Sequence, residues 1–340
     1  MILSHILLYC VKFILKSEIM ILKSYKFRLV TAIILCILCG TEAHSQSSIV
    51  FTPQWTAQSQ FAGYYVALAK GFYKEAGIDV TIKHPTASSN TLQQLTDGEC
   101  NIISMNLLTA MEAKGKGMPL VNILQTSQNN TLMLVSREPI NNIEELREKR
   151  VGTWKAGRFD AIARYLDKKY NYEINWITFI SNINLYISGA VDATLAMSYN
   201  EFFQILSTGT SISEKNTLYF SDFGYNIPED GLYVTADFYK KNRDLVDKFT
   251  EASKKGWLWA AEHPEETIEI VLEQARKHEI RTNKELQKWM LTKILEAQID
   301  KASGERTFKL TDEAIELGNS ILMEENLIKE KITIKQITAQ

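Results

Sequence analysis

Cysteine is scarce in this sequence, and its placement limits what can hold the folded chain together. Four cysteines occur in 340 residues, and Cys10, Cys36 and Cys39 all lie within residues 1–45. Only Cys100 follows, and a single thiol cannot close an internal disulfide bond. We therefore expect the stability of the folded part to come from hydrophobic cores.

Histidine and the common catalytic motifs are also nearly lacking. After residue 45 the histidines are His84, His263 and His278, and none stands at metal-ligand spacing from a cysteine, a glutamate or another histidine. The sequence has neither a phosphate-loop lysine motif nor a Gly-x-Ser-x-Gly elbow. His84 is the one histidine that could serve a Ser-His-Asp site, and an ordinary loop position explains it better. We predict no metal, no cofactor and no catalytic residue.

An excess of charge of one sign is missing as well. The formal net charge is -2, from 38 basic and 40 acidic residues. This balance gives no indication of nucleic acid or of an anionic membrane surface as a partner. With 45% hydrophobic and 23% charged residues, the composition is that of a globular protein, and the length allows two lobes with separate cores.

Residues 1–45 differ from the rest of the chain. Basic residues precede an apolar run at 29–39, and small and polar residues then lead to Ser45. This pattern predicts a secretory signal peptide cleaved after Ser45, and hence a periplasmic or otherwise extracytoplasmic protein. The run is short for a membrane span, although a genuine N-terminal anchor is the alternative. A further apolar patch at 1–19 suggests that translation starts at Met20.

The stretch 53–80 organises the remaining chain. It reads as a strand end, a polar turn, an amphipathic helix and a second strand. The helix carries apolar residues at spacings of three and four: Phe61, Tyr65, Leu68, Ala69 and Phe72. This arrangement places Trp55, Gln54, Gln58 and Gln60 at the carboxyl edge of a sheet, where open α/β sheets bind their ligands.

Residues 53–80 resemble the opening of the periplasmic solute-binding proteins of ABC importers. The matching features are a strand ending in Trp55, the run Gln-Phe-Ala-Gly-Tyr-Tyr from Gln60, and Lys-Gly-Phe-Tyr-Lys-Glu-Ala-Gly-Ile-Asp-Val from Lys70. The branch concerned includes binders of thiamine pyrimidine precursors, nitrate and alkanesulfonates. The resemblance implies an α/β, two-lobed, type 2 periplasmic-binding-protein fold, with the second lobe inserted into the first and a ligand cleft between them.

Strand and helix patterns alternate along the rest of the chain, which predicts mostly parallel sheets with covered faces. A long helix is expected at 237–261, followed by further amphipathic helices. We predict a monomer with lobe 1 at 46–134 and 231–340 and lobe 2 at 135–230. The polar end from Lys329 is expected to be loosely held.

Candidate ligand contacts of the first lobe are Trp55, Gln60, Tyr64 and Asn106. The ring of Trp55 could stack on a planar ligand, or it could pack against the following helix. Tyr65 lies on the apolar stripe, so Tyr64 is the tyrosine expected to face the cleft. Asn106 follows the third strand and could donate to a ligand or cap the next helix.

Trp154 ends the first predicted strand of the second lobe and should face the same cleft. The turn at 155–157, with Arg158, has two interpretations. In the similar sulfonate and nitrate binders such a turn holds an oxyanion, because backbone amides at a helix start favour negative charge. The other interpretation is a solvated turn.

Tyr199, Asn200 and Glu201 follow a strand and are expected at the cleft or hinge. In the similar pyrimidine-precursor binders, a carboxylate pairs with the aminopyrimidine edge and aromatic rings sandwich the base. Glu201 fits that role, although a carboxylate at a helix start is also favoured by the helix dipole. Together with Glu229 and Asp230, it favours a neutral or cationic heteroaromatic ligand over an anion.

The same branch contains a fungal enzyme that builds the thiamine pyrimidine from its own histidine and pyridoxal phosphate. Its lysine and histidine correspond here to Met105 and Thr109, and residues 223–232 lack its cysteine cluster. A thioether cannot form a Schiff base, which argues against an enzyme. We therefore predict a binding protein that delivers a planar nitrogen heterocycle to an ABC permease. The alternatives are a protein presenting its ligand to a sensory receptor and a binder of a small oxyanion.

Overall fold

The computed structural model describes these parts of the chain: residues 47–86, 89–155, 158–179 and 183–339. The predicted signal peptide at 1–45 and the predicted start at Met20 lie outside the described residues. Ala156 and Gly157, in the turn after Trp154, also lie outside them.

Two sheets organise the described residues. In chain order their strands are β1 (Ser47–Thr52), β2 (Ile78–Ile82), β3 (Ile102–Met105), β4 (Leu120–Gln125), β5 (Leu132–Ser136), β6 (Arg150–Trp154), β7 (Asn175–Phe179), β8 (Ala193–Met197), β9 (Thr217–Tyr219) and β10 (Gly231–Thr235). The first sheet has the order β2-β1-β3-β10-β4, and the second has the order β7-β6-β8-β5-β9. The sequence analysis did not predict β9, a short strand at the edge of the second sheet.

Helices cover both sheets. They are α1 (Ala62–Ala69), α2 (Phe72–Glu75), α3 (Thr91–Asp97), α4 (Leu107–Gly115), α5 (Ala161–Tyr170), α6 (Asn184–Ile187), α7 (Glu201–Ser207), α8 (Ala236–Lys241), α9 (Arg243–Glu262), α10 (Pro264–Lys277), α11 (Lys284–Ala297), α12 (Asp312–Glu324) and α13 (Ile334–Ile337). In the described residues, no helix is long and apolar enough to span a bilayer.

The burial pattern explains where each strand lies in its sheet. Along β2, Ile78, Val80 and Ile82 are buried and the residues between them are exposed, as expected for an edge strand with one covered face. Every residue of β8 is buried, and β8 lies at the centre of the second sheet. A strand covered on both faces reads as a continuous apolar run.

Both sheets are mixed, so the expectation of mostly parallel sheets was wrong for part of each. Strand β10 runs antiparallel to β3 and β4, and β5 runs antiparallel to β8 and β9. The reason is that β5 and β10 each enter their sheet directly from the other one, without the crossover helix that parallel neighbours need. The second sheet also begins at Leu132, ahead of the predicted boundary at residue 135.

Two segments connect the sheets, one from β4 to β5 and one from β9 to β10. They run side by side: the Thr126 amide donates to the Asp230 carbonyl at 2.8 Å, and the Asn130 amide donates to Asn226 Oδ1 at 2.7 Å. The second sheet is therefore inserted between β4 and β10 of the first, with a paired double connection. The side chains of these segments lie at the edge of the cleft described below.

Glycines divide and pack the predicted helices. The amphipathic helix expected within residues 53–80 is interrupted at Gly71, whose φ is 79°. Helix α9 packs closely on α1, because a Cβ on Gly63 would lie 2.2 Å from the Trp257 ring. The long helix expected at 237–261 is divided at Asn242 into α8 and α9.

The C-terminal residues are well held, contrary to the expectation of a loose end. Ile332 and Ile337 are buried, and the side chain of Thr333 caps α13 together with Gln336. A parallel bridge joins Thr338 to β4. Apolar residues between the lysines anchor this segment, which its overall polarity concealed.

Candidate ligand-binding cleft

A cavity lies where strands of the two sheets end, and we call it the main cavity. It has about 360 Å³ of space between its atoms, part of it open to solvent. Its lining comes from both sheets: Gln54, Trp55, Gln58, Gln60, Trp154, Phe159, Met197, Tyr199, Asn200 and Glu201.

Glutamines form the polar wall on the side of the first sheet. After β1 the chain leaves the sheet in an irregular turn, which the Gln54 amide fixes by donating to Ser104 Oγ at 2.8 Å. The side-chain amide of Gln58 donates to Gln60 Oε1 at 2.7 Å. Gln54 and Gln60 both donate through Nε2 to Asp230 Oδ1, at 2.6 and 2.9 Å. Asp230 therefore holds this wall from behind.

Trp55 is held through its backbone by a histidine. His84 Nδ1 lies 2.6 Å from the Trp55 carbonyl oxygen, and His84 Nε2 lies 2.8 Å from the hydroxyl of Tyr65. Burial lowers the pKa of His84 to about 4. The neutral ring thus donates from Nδ1 to the carbonyl and accepts from Tyr65. The histidine interpreted as an ordinary loop residue in fact positions a wall of the cavity.

Aromatic residues form the facing wall, on the side of the second sheet. Trp154 is the last residue of β6, and its ring packs against Phe179 at 5.7 Å and Phe159 at 5.9 Å between centroids. Phe159 itself lines the cavity and comes just before α5. Met197, the last residue of β8, completes this apolar face.

Glu201 is the first residue of α7 and also lines the cavity. Its carboxylate accepts from the Met197 amide at 3.0 Å and from Asn200 Nδ2 at 2.9 Å. Burial raises the pKa of Glu201 in spite of these bonds. The helix-start and cavity interpretations of this residue are therefore compatible, since one carboxylate does both.

Tyr199 has a hydroxyl that makes no hydrogen bond within the described part of the chain. The residue is 5% exposed and lines the main cavity. Burial, with the charges of Asp230, Glu229 and Glu201, raises the pKa of this phenol. Since this residue lines the cavity and no protein group bonds to its hydroxyl, the hydroxyl is available to a ligand.

The carboxyl groups around Tyr199 have no cationic partners. Glu229 accepts from the amide and hydroxyl of Thr131, and Asp230 and Glu201 accept from the amides already described. None of the three forms an ion pair with lysine or arginine in the described residues. Burial raises the pKa of Glu229 to about 8 and that of Asp230 to about 6. In their ionised forms these groups oppose an anionic ligand.

An adjoining cavity of about 270 Å³ shares Phe159 and Met197 with the main cavity. Arg158 lines it, but Arg158 Nη2 already donates to Glu112 Oε1 at 2.8 Å. Asp160 precedes α5, where its carboxylate accepts from Thr153 Oγ1 at 3.1 Å. The predicted oxyanion turn thus has a neutralised arginine and a carboxylate at the helix start, which disfavours anion binding.

Most of the predicted site residues line the main cavity: Trp55, Gln60, Trp154, Tyr199, Asn200 and Glu201. Asn106 lines the adjoining cavity instead, and its Oδ1 caps α4 by accepting from the Thr109 amide at 2.8 Å. Tyr64 does not reach either cavity. Its ring is 2% exposed and packs between Phe51 and Trp257, because α9 covers the face of α1 that the sequence left free.

Phe159 and Met197 were missed among the lining residues. Phe159 follows the Trp154 turn closely, and an aromatic residue at that place was the available signal. Met197 is the last residue of a predicted strand. Trp55 and Trp154 were selected as cleft residues because they end strands, and the same argument would have selected Met197. Gln54 and Gln58 stood at the predicted sheet edge, and only Gln60 was selected from that group.

Residues 58–267 match the family described as NMT1/THI5 like. The chain belongs to the NMT1/THI5-like family. The match includes every lining residue of the main cavity except Gln54 and Trp55, which precede it. The resemblance to this branch of solute-binding proteins is thereby confirmed.

Curated relatives of this NMT1/THI5-like chain include binding proteins and enzymes. The formylaminopyrimidine-binding protein of Halalkalibacterium halodurans is 23% identical over 267 residues, which cover 74% of this chain and 79% of that protein. The riboflavin-binding protein RibY of Chloroflexus aurantiacus is 23% identical, over 63% of this chain and 62% of its own. The Saccharomyces cerevisiae 4-amino-5-hydroxymethyl-2-methylpyrimidine phosphate synthase THI13 is 26% identical, with coverages of 62% and 66%. The chain thus spans less than two thirds of the last two.

A solved structure shows the fold. The periplasmic aliphatic sulphonate binding protein SsuA of Escherichia coli superposes with a TM-score of 0.58 at 13% identity, over 87% of this chain and 93% of SsuA. At that identity the likeness concerns the fold alone. The predicted α/β periplasmic-binding-protein fold is confirmed.

Proposed function

We propose that this NMT1/THI5-like protein is an extracytoplasmic solute-binding protein for a small planar nitrogen heterocycle that carries amino groups, such as a thiamine pyrimidine precursor. It acts as a monomer and delivers the ligand to an ABC permease. The observation that carries the proposal is the unpartnered Tyr199 hydroxyl. It lies in the wall of an aromatic cavity, and the three buried carboxyl groups that act on its pKa form no ion pair with lysine or arginine in the described residues.

The aromatic walls suit a flat ligand. Trp55 follows β1 of the first sheet and Trp154 ends β6 of the second, so the two indoles reach the cavity from opposite sides. Aromatic faces stack on planar rings, and such contacts add specific geometry to the burial of apolar area. Phe159 and Met197 extend the apolar surface on the second side.

The polar groups suit a ligand rich in N–H donors. The Glu201 carboxylate can accept from a ring N–H and an exocyclic amine together, and the Tyr199 hydroxyl can donate to a ring nitrogen. A sulfonate or nitrate would meet these carboxylates, and Arg158, which lines the adjoining cavity, is already paired with Glu112. The relatives named for formylaminopyrimidine and for riboflavin both take planar nitrogen heterocycles, which supports the same class.

The synthases among the relatives raise the alternative of an enzyme. In this chain Met105 lies in β3 and is buried, and a methionine supplies no amine for a Schiff base. No group of three or more metal-binding side chains occurs in the part of the chain that the structure describes. Met105 therefore supports binding without chemistry. The sensory alternative shares the same site and differs only in the membrane partner.

A thermal-shift and calorimetric titration with aminopyrimidines tests the proposal. Saturating ligand should stabilise the folded chain by roughly 3–4 kcal/mol. Glu201→Gln and Trp55→Ala should abolish most of the shift, and Glu305→Gln, a change of an exposed acid far along the chain, should leave it intact. A shift with nitrate or a sulfonate but with no heterocycle would overturn the proposal.

A further inference from the structure

The glutamines of the first-sheet wall form a directed chain of hydrogen bonds. Gln58 Nε2 donates to Gln60 Oε1, Gln60 Nε2 donates to Asp230 Oδ1, and Gln54 Nε2 donates to the same oxygen. An ionised carboxylate can only accept, so Asp230 determines which end of each amide faces it. The orientation of Gln60 then forces Gln58 to present its amino group to Gln60.

This order leaves carbonyl oxygens for the ligand. The Oε1 atoms of Gln54 and Gln58 have no hydrogen-bond partner in the described residues, and both residues line the main cavity. Gln58 is 7% exposed, so little water competes for its oxygen. One N–H of each side-chain amide is engaged, toward Asp230 in Gln54 and Gln60 and toward Gln60 Oε1 in Gln58. The wall therefore holds one N–H of each amide away from the ligand and leaves the carbonyl oxygens of Gln54 and Gln58 as acceptors.

We propose that Asp230 sets the hydrogen-bonding polarity of the first-sheet wall, so that the cavity selects heterocycles with N–H donors on two edges, one facing Gln54 and Gln58 and one facing Glu201. The inference rests on the proposed function and narrows its ligand class. Asp230 is a positioning residue, because it acts on the ligand through the glutamines and does not itself line the cavity.

The selection has a simple energetic cause. A ligand oxygen placed against Gln54 and Gln58 would leave buried acceptors facing one another without a proton between them. Unpaired buried polar groups cost about 1–3 kcal/mol, which corresponds to roughly a 5- to 150-fold loss of affinity. An amino group at the same place satisfies the oxygens. Asp230 interacts electrostatically with Glu229, and it forms no ion pair with a lysine or arginine in the described residues that could donate to such a ligand oxygen.

Calorimetric titration with three matched probes tests this inference. The probes are 2,4-diaminopyrimidine, cytosine and isocytosine, in which one or the other amino group is replaced by an oxo group. Wild type should bind the diamine at least about tenfold more tightly than either analogue. Asp230→Leu leaves the glutamine amides free to turn, so the variant should lose the preference for the diamine over one of the two oxo analogues. Glu201→Gln should lose the preference for the diamine over the other analogue.

Two further variants guard against a purely structural effect. Asp230→Asn keeps an acceptor oxygen and should keep the wild-type ratio of affinities. Gln60→Leu interrupts the chain of hydrogen bonds between Gln58 and Asp230, so it should show the same reduced ratio of affinities as Asp230→Leu. If Asp230→Leu does not fold, the ratio measured for Gln60→Leu tests the inference. An unchanged ratio in both Asp230→Leu and Gln60→Leu overturns this inference alone. Failure of wild type to bind any of the probes overturns the proposed function and the inference together.

Discussion

The indole of Trp289 on α11 donates to the carbonyl oxygen of Ser198 at 2.8 Å. Ser198 immediately precedes Tyr199, so a helix from the C-terminal part of the chain is bonded to the loop that forms one wall of the main cavity. The ring of Phe203 on α7 packs against the same indole, with centroids 5.3 Å apart. These contacts bridge the helices of the first sheet and the binding loop of the second.

Trp289→Phe should therefore weaken ligand binding more than it weakens the fold. The phenyl ring keeps much of the packing, and the Ser198 carbonyl loses its donor. The loss of one such bond should lower affinity about fivefold to tenfold and cost about 1 kcal/mol of unfolding free energy. Calorimetry and urea unfolding measure the two effects. Trp259→Phe on α9 is the matched control, and an equal loss of affinity there would refute the role of the bridge.

Stability should fall as the pH rises toward 8, because of the acids at the connection between the sheets. Burial raises the pKa of Glu229 from 4.5 to about 8 and that of Asp230 from 3.8 to about 6. The folded chain thus holds these protons more tightly than the unfolded chain. Their stabilising contribution is complete at low pH and is lost as the pH rises through the folded pKa values.

Glu229→Gln isolates this effect, because the amide stays neutral and can still accept from Thr131. The variant should melt several degrees above wild type at about pH 8 and close to it at about pH 5. Scanning calorimetry at the two pH values is the measurement, with Glu305→Gln as an exposed control. A wild-type protein that is equally stable at both values, or a variant with the same pH slope, would contradict the assignment.

Arg158 and Glu112 form an ion pair between the two sides of the cleft. Glu112 lies on α4 beside the first sheet, and Arg158 precedes α5 beside the second. The hydrogen bond from Arg158 lowers the pKa of Glu112. The arginine is 37% exposed, so the pair should be worth at most about 1 kcal/mol.

Arg158→Gln should accordingly reduce affinity about twofold to fivefold and remove part of its dependence on salt. The reason is that the variant loses the attraction between Arg158 and Glu112 across the cleft. Dissolved ions screen that attraction, so its loss also removes part of the salt dependence. The measurement is the ligand affinity of wild type and Arg158→Gln at low and at high ionic strength. Arg243→Gln, far from the cleft, serves as the control. If Arg158→Gln abolished binding of a sulfonate instead, the arginine would be a ligand contact. Its interpretation as an ion-pair partner that joins the two sides of the cleft would then fail.

The positions of strand ends could be predicted well from the sequence. Which helix face is buried by a distant segment of the chain could not. Trp154 was placed at the end of its strand because a glycine-containing turn follows it, a purely local signal. Tyr64 was misplaced because its burial depends on α9, which is distant along the chain. No local pattern shows which helix will cover a free face.

Glu229 and Asp230 also show which features local sequence reveals and which depend on long-range contacts. Glu229 and Asp230 could be noted as a pair of carboxylates in a crossover, but their contact with Gln54, Gln60 and Thr131 depends on how two separate segments pair. The hydrogen-bond direction along the glutamines could not be inferred without that pairing. Sequence periodicity thus located the cleft, and long-range contacts determined its polarity.

His84 should influence ligand affinity through Trp55, separately from its effect on the fold. His84→Phe removes the bond to the Trp55 carbonyl and also leaves the buried hydroxyl of Tyr65 without an acceptor. The single variant should lose about 1–3 kcal/mol of stability, since an orphaned buried donor is costly. Its affinity for an aminopyrimidine should fall as the backbone that carries the indole loosens.

The double variant Tyr65→Phe with His84→Phe separates the two roles. Removing both partners of the buried bond should recover part of the stability, because the Tyr65 hydroxyl is then no longer left without an acceptor. Affinity should stay low, since the Trp55 carbonyl still lacks its donor. Unfolding and calorimetric titration of the wild type, the two single variants and the double variant complete a cycle. Recovery of affinity along with stability would show that His84 only maintains the fold, and that the position of Trp55 does not depend on it.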